Sequence, residues 1–99
     1  MKDVKTIKVG DIFTIELEGN PTIGYTWEIN LPSEYAQIIN LIDIYWKKQN
    51  SLVGGPSIQY FVFEALSQGL LTLVFRYRRS WEKDNPSKER TFHIRIDLQ

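Results

Sequence analysis

The stretch "LTLVFRYR", residues 71–78, decides the fold, because its side chains alternate in character with a period of two. The odd-numbered residues are all apolar, which is typical of a strand with one buried face and one solvent-exposed face. The buried set is Leu71, Leu73, Phe75 and Tyr77, and the other set is Thr72, Val74, Arg76 and Arg78. The same alternation recurs in 12–18, 25–30, 60–65 and 91–98, and adding 4–9 and 41–48 gives seven predicted strands.

Turn-forming residues separate these strands. Gly, Pro, Asn, Asp and Ser gather at 10–11, 18–24, 50–57, 67–69 and 80–89, where each favours a reversal of the chain. The sequence has no internal repeat and no linker, so it predicts one domain over residues 1–99. We expect an all-β fold, an immunoglobulin-like β-sandwich of about seven antiparallel strands, without the disulfide of antibody domains because the chain has no Cys.

The segment "LPSEYAQIIN", residues 31–40, departs from the strand pattern. Pro32 and Ser33 can open a single helical turn. Such a turn would carry Tyr35, Ile38 and Ile39 toward the core.

Composition excludes several classes of function. The 12 basic residues cancel the 12 acidic residues, so no overall field attracts the chain to nucleic acid or to an anionic membrane. No apolar run approaches the roughly 18 residues that span a bilayer, and the first residues, "MKDVKTIKVG", lack the apolar core of a signal peptide. We expect a soluble protein that binds neither nucleic acid nor membrane. Its compartment, whether cytoplasmic, vesicular or secreted, stays open.

Residues suited to catalysis or metal binding are sparse. His93 is the only histidine and is predicted to lie on the wet face of a strand, where a Ser-His-Asp arrangement is hard to assemble. A metal site would need carboxylates with at most one imidazole, and no cluster has EF-hand or zinc spacing. The sequence therefore predicts a protein that is not an enzyme and uses no cofactor or metal.

Three unusual connections are predicted to share one end of the sandwich. If every strand crosses once and then reverses, the second, fourth and sixth connections lie together. We name them the Asn-Pro loop (residues 18–24), the Gly-Gly loop (residues 50–57) and the Arg-Trp segment (residues 78–81). In the Gly-Gly loop, Gly54 and Gly55 would let the backbone approach another surface, although a long hairpin turn explains the pair as well. Loops on a rigid β scaffold commonly carry binding residues, so this end is the candidate site.

The Asn-Pro loop, "EGNPTIG", is predicted to be stiff. Asn20 and Thr22 can hydrogen-bond nearby backbone groups. Pro21 fixes its own φ, and Gly24 can adopt a positive φ. Taken alone, these features also describe an ordinary well-made turn.

Aromatic residues flank the loops in two different ways. Tyr25 and Trp27 share the apolar alternation with Ile29, which favours places in the core over ligand contacts. Arg79 and Trp81 instead fall beyond the regular alternation of their strand. Both residue types are enriched among those that dominate interface energies, so a binding role and a structural role are equally supported here.

Over residues 4–98, the chain resembles the chagasin family of cysteine-protease inhibitors. The resemblance rests on three motifs in this order: "NPTIGY", then "GG" before a strand, then "RRSW" near the end of a strand. The residues that match the family's motifs are Asn20, Pro21, Thr22, Gly24, Tyr25, Gly54, Gly55, Arg79 and Trp81. This chain departs at three positions. Ile23 replaces a second Thr, Leu52 stands where the family often has an additional Gly, and Ser80 replaces the Pro of an Arg-Pro-Trp motif.

The resemblance implies a reversible, tight-binding inhibitor of papain-like cysteine proteases, acting as a monomeric wedge. In the family, the Asn-Pro loop lies at the catalytic Cys and His of the protease, and the other two loops grip either side. This places Thr22 nearest the catalytic thiolate. Gly54 and Gly55 would allow backbone pairing along the cleft, and Arg79 and Trp81 would be anchors. The implied protease-binding residues are Asn20, Pro21, Thr22, Ile23, Gly24, Tyr25, Val53, Gly54, Gly55, Arg79, Ser80 and Trp81.

Two other classes of function are compatible with parts of the sequence. An immunoglobulin-like adhesion or ligand-binding module would share the fold, because sandwiches carry many functions. It has no reason, however, to keep these three loops together at one end. A nucleic-acid binder could use Trp81 and the nearby basic residues, but the neutral net charge argues against it. The physiological target protease is not specified by the sequence.

Overall fold

The computed structural model describes residues 3–48, 56–79, 81 and 88–99, and most of this chain is extended. The strands are β1 (Asp3–Lys8), β2 (Ile12–Gly19), β3 (Tyr25–Ile29), β4 (Ile39–Lys48), β5 (Ser57–Ala65), β6 (Gly69–Arg79) and β7 (Lys88–Asp97). Two 3₁₀ turns, Pro21–Ile23 and Ser33–Tyr35, complete the regular structure of the described residues. Neither turn has the length or the apolar composition needed to span a bilayer.

The strands form two sheets that pack face to face. One sheet has the order β1-β7-β6-β3, and the other has the order β2-β5-β4. Each prediction of a strand from the period-two alternation is confirmed. The arrangement is the predicted immunoglobulin-like β-sandwich.

One detail of the prediction, that the strands are all antiparallel, is wrong. β1 runs parallel to β7, from Asp3 beside Phe92 to Lys8 beside Asp97. The turn at Gly10, with φ of 96°, takes the chain from β1 into the other sheet, so β1 forms no hairpin with β2. In a chain that reverses after each strand, two odd-numbered strands run in the same direction, and β1 beside β7 can pair only in parallel.

The inward-facing residues of the two sheets form one core. Phe61, Phe63 and Phe75 are fully buried, and the rings of Phe61 and Phe75 meet edge to face with 4.9 Å between centroids. Full burial of such a side chain contributes roughly 1.5–3 kcal/mol. The other buried members are Phe13, Ile15, Leu17, Trp27, Ile39, Ala65, Leu71, Leu73, Tyr77, Phe92, Ile94 and Ile96. This core gives the loops a rigid base.

The segment 31–40 contains the predicted helical turn, as a 3₁₀ turn over Ser33–Tyr35. Tyr35 and Ile38 pack partly buried against the core, and Ile39 is buried as the first residue of β4. The hydroxyl of Tyr35 accepts the backbone N–H of Thr72 at 3.1 Å. This turn closes the end of the sandwich opposite the candidate site.

Candidate functional site

The strand ends that flank the predicted loops lie at one end of the sandwich. Gly19 at the end of β2 is opposite Ser57 at the start of β5, and Tyr25 at the start of β3 is opposite Arg79 at the end of β6. A Cβ added at Gly19 would lie 2.9 Å from the ring of Tyr77 in the other sheet. The two sheets are therefore in close contact directly beneath the loops.

Part of the candidate site lies outside the described residues. This applies to Leu52, Val53, Gly54 and Gly55 of the Gly-Gly loop and to Ser80 of the Arg-Trp segment. Their roles stay predictions.

The Asn-Pro loop is a capped turn held by its own hydrogen bonds. Asn20 Oδ1 accepts the backbone N–H of Thr22 at 3.2 Å and also the Thr22 hydroxyl. Pro21 begins the 3₁₀ turn, and its carbonyl accepts the N–H of Gly24 at 3.1 Å. Gly24 has φ of 85°, a left-handed conformation that residues with a side chain rarely adopt. The predicted local hydrogen bonding and the positive φ of Gly24 are confirmed.

Trp81 lies over this loop. Although 67% of Trp81 is exposed, its ring packs directly on Gly24, and a Cβ added at Gly24 would lie 2.5 Å from Cη2 of Trp81. No real Cβ contact is that short, so the indole occupies space that only a glycine leaves open. The Arg-Trp segment and the Asn-Pro loop therefore form one surface.

Arg79 lies between two aromatic rings. Its guanidinium carbon is 4.7 Å from the centroid of the Tyr25 ring and 5.9 Å from that of Trp81. Each such cation–π contact contributes about 0.5–2 kcal/mol, depending on solvent exposure. Arg79 is only partly exposed. Arg79 is therefore positioned to support the two neighbouring rings. Trp81, in contrast, exposes most of its surface to solvent.

Tyr77 and Trp27 support both arms of the Asn-Pro loop from below. The Tyr77 hydroxyl accepts the N–H of Asn20 at 2.8 Å, and the Trp27 indole N–H donates to the carbonyl of Glu18 at 3.1 Å. The Tyr77 ring contacts the rings of Tyr25 and Trp27, at centroid distances of 5.0 and 4.9 Å. The predicted core position of Trp27 is confirmed, and Tyr25 is half-buried.

The sequence analysis missed two supporting residues. These are Gln59 and Tyr77, whose hydroxyl binds the Asn-Pro loop at Asn20. Gln59 is 3% exposed and hydrogen-bonds the backbone of Trp27. A signal for Gln59 was present, because it shares the parity of Phe61 and Phe63 in β5 and thus places a polar side chain at a core-facing position. No local pattern indicates that Tyr77 reaches Asn20, which is 57 residues away.

The outermost residues of this end form what we call the loop-end surface, consisting of Pro21, Thr22, Ile23 and Trp81. All four are exposed, Ile23 by 52%. The surface is mainly apolar and carries no ionisable side chain. It is suited to filling a complementary groove rather than to transferring protons or holding a metal.

The sequence matches the family model described as "Chagasin family peptidase inhibitor I42" over residues 6–96. The chain belongs to the chagasin family of peptidase inhibitors. The family predicted from the three loop motifs is thereby confirmed.

Individual chagasin-family relatives agree with this assignment. Amoebiasin-2 of Entamoeba histolytica is 30% identical over 91 residues, covering 91% of this chain and 74% of that protein. The crystal structure of the cysteine protease inhibitor EhICP2, also from Entamoeba histolytica, has a TM-score of 0.82 at 29% identity, over 97% of this chain and 87% of that chain. PbICP-C, solved in complex with falcipain-2, shares the fold with a TM-score of 0.68 at 22% identity, over 99% of this chain and 88% of that chain.

The chagasin relatives are inhibitors and not enzymes, as the sequence predicted for this chain. His93, the single histidine of the sequence, has its Nδ1 3.4 Å from the Thr72 hydroxyl, on an outer sheet face away from the loop-end surface. Among the described residues, no group of three or more His, Cys, Asp or Glu side chains could hold a metal ion. Nearby on β7, Arg95 Nε donates a hydrogen bond to Asp97 at 2.8 Å. This bond, and then the negative charge of Asp97, raise the pKa of Arg95.

Proposed function

We propose that this protein is a reversible, tight-binding inhibitor of papain-like cysteine proteases. As one inhibitor domain over residues 1–99 and as a monomer, it blocks the active-site cleft with the Asn-Pro loop, the Gly-Gly loop and the Arg-Trp segment. The observation that carries the proposal is the packing of Trp81 on Gly24, which joins two of these loops into one exposed surface.

Preorganisation of the loop-end surface supports tight binding. The Asn20 cap, the fixed φ of Pro21 and the bond from Gly24 to Pro21 hold the loop in one conformation before binding. A loop that is already ordered loses little conformational entropy in the complex. An interface of roughly 800 Å² per partner can then give high affinity.

The shape of the Asn-Pro loop also supports resistance to cleavage. Hydrolysis requires the scissile carbonyl to reach the nucleophile in an aligned geometry. In this loop the carbonyl of Pro21 is already bonded to the N–H of Gly24 within a 3₁₀ turn. We infer that Thr22 lies nearest the protease thiolate while its peptide bonds stay out of attack geometry.

The relatives support the choice of partner. EhICP2 is described as a cysteine protease inhibitor, and PbICP-C was solved in complex with falcipain-2. For this chain we propose a partner of the same papain-like class. Trp81 acts as an anchor at one side of the cleft, Arg79 supports the ring of Trp81, and Gly54 and Gly55 pair with backbone on the other side.

The proposal is tested by titrating active papain with the purified protein while following hydrolysis of a small fluorogenic substrate. We expect inhibition at a near-stoichiometric ratio, with the inhibitor still at its full mass after prolonged incubation. The absence of inhibition at micromolar excess, against both papain and a cathepsin-type enzyme, would refute the proposal. Cleavage of the chain within residues 20–25 would refute the occluding mechanism.

A further inference from the structure

Gln59 occupies an unusual place for an amide side chain. It lies on β5, the central strand of the three-stranded sheet, and its side chain points into the core with only 3% exposure. Its cross-strand neighbours are Leu17 on β2 and Trp46 on β4. A buried amide is unfavourable unless its donors and acceptor are satisfied, so its partners reveal its role.

Those partners belong to the opposite sheet. Gln59 Oε1 accepts the backbone N–H of Trp27 at 2.9 Å, and Gln59 Nε2 donates to the carbonyl of Trp27 at 3.3 Å. The hydroxyl of Thr26 lies 3.3 Å from the same Oε1. Trp27 is on β3, one of the two edge strands of the four-stranded sheet, where half of the backbone groups lack a strand partner. The Gln59 amide thus takes the place of a neighbouring strand.

Trp27, the residue that Gln59 binds, connects the two ends of the Asn-Pro loop. The Trp27 indole N–H donates to the carbonyl of Glu18, which lies on the entry side of the loop, whereas Trp27 itself lies three residues after Gly24 on the exit side. Gln59 in turn lies two residues after Ser57, where the chain enters β5 from the Gly-Gly loop. One continuous set of hydrogen bonds therefore connects β5, at the base of the Gly-Gly loop, with β3 and β2, between which the Asn-Pro loop crosses from one sheet to the other.

We propose that Gln59 is a positioning residue for protease inhibition. By fixing Trp27, it sets the placement of the Asn-Pro loop relative to the Gly-Gly loop, so that both fit one cleft. Gln59 itself does not touch the protease. This inference rests on the proposed function, because it assigns Gln59 a role in that inhibitory surface.

The first experiment compares Gln59→Met with Ile96→Val in papain inhibition. Gln59→Met keeps the length of the side chain but removes both hydrogen bonds to the Trp27 backbone. Ile96→Val removes one buried methyl group at the opposite end of the sandwich. Both variants lower thermal stability. At a temperature where both are folded, we expect the inhibition constant of Gln59→Met to rise about tenfold or more and that of Ile96→Val to stay within about twofold of wild type. An equal inhibition constant for the two variants would overturn the proposal.

A second variant keeps the proposal testable if Gln59→Met does not fold. In Gln59→Glu, the protonated carboxyl can accept from the Trp27 N–H and donate to its carbonyl as the amide does, but the carboxylate cannot donate. Burial raises the pKa of a carboxyl, and the neighbours Leu17, Trp46, Thr26 and Trp27 carry no group that ionises in the acid range. We therefore compare the inhibition constant of Gln59→Glu with that of the wild type at each pH. As the pH is lowered from 7.5 to 4.5, we expect the ratio of the two constants to fall toward one. A ratio independent of pH would contradict the proposal.

Hydrogen exchange on the free wild-type protein separates this inference from the proposed function. The Trp27 amide should exchange slowly although it lies in an edge strand, and this measurement needs no protease. Rapid exchange of the Trp27 amide would overturn the role of Gln59 even if papain is inhibited. Slow exchange without inhibition of papain by the wild type would instead show that the proposed function has failed.

Discussion

At the scale of single residues, the Asn-Pro loop depends on Gly24 for two separate physical reasons. Its φ of 85° is strained for any residue with a side chain, and the Trp81 ring occupies the position of a Cβ. Gly10 shares the first property, with φ of 96°, but a Cβ there would meet only Gln99 Nε2 at 3.8 Å. The two glycines allow backbone strain and displacement of Trp81 to be measured apart.

We expect Gly24→Ala and Gly10→Ala each to lose about 1–2 kcal/mol of unfolding free energy from backbone strain. Only Gly24→Ala should also raise the inhibition constant for papain, by about tenfold or more, because it displaces Trp81, the proposed anchor of the interface. Chemical denaturation and inhibition titrations of both variants provide the check. A similar inhibition constant for the two variants would mean that the contact between Gly24 and Trp81 has no role in binding.

At the scale of elements, the strands were predictable from the sequence and their partners were not. Period-two alternation is a local property, so β6 and β7 are visible in their own residues. The parallel pairing of β1 with β7 depends on which sheet the chain enters after Gly10. The residues of β1 carry no local sequence signal for this. In β4 the register shifts between Leu41 and Asp43. As a result, Leu41 before the shift and Ile44 after it both lie opposite buried residues of β5.

The candidate site was predictable to a similar extent. Each motif indicated a loop, and the order of the motifs indicated the family. The contact of Trp81 with Gly24 and the bonds of Gln59 to Trp27 join residues far apart in the chain. Such contacts arise from the packing of two sheets, and one sequence carries no direct signal of them. Gln59 was detectable only as a polar residue on an apolar face.

The coupling of two loops through Trp81 leads to a prediction at this scale. Trp81 is 67% exposed, so Trp81→Ala should change the unfolding free energy by less than about 1 kcal/mol. Because we propose that Trp81 is an anchor, we expect its loss to weaken papain inhibition by about 2 kcal/mol or more. Leu70→Ala is the matched control, because Leu70 is 77% exposed at the opposite end of β6. Equal inhibition by the two variants would remove Trp81 from the interface.

At the scale of the whole molecule, the protein is a rigid sandwich, and we propose that it binds its partner at one end only. The core holds the two sheets together, β1 extends the four-stranded sheet beside β7, and the 3₁₀ turn at Ser33–Tyr35 closes the other end. The 12 basic and 12 acidic residues give no net charge, so shape rather than long-range attraction must select the partner. We propose that the loop-end surface offers that shape.

Hydrogen exchange of the whole chain, free and saturated with papain, tests this central claim most directly. We predict slower exchange in the complex across residues 20–25, the Gly-Gly loop (50–57) and the Arg-Trp segment (78–81). Exchange at the Gly10 turn and at residues 67–69, at the opposite end, should stay unchanged. Protection at the Gly10 end, or complex formation without protection of the Asn-Pro loop, would contradict the account.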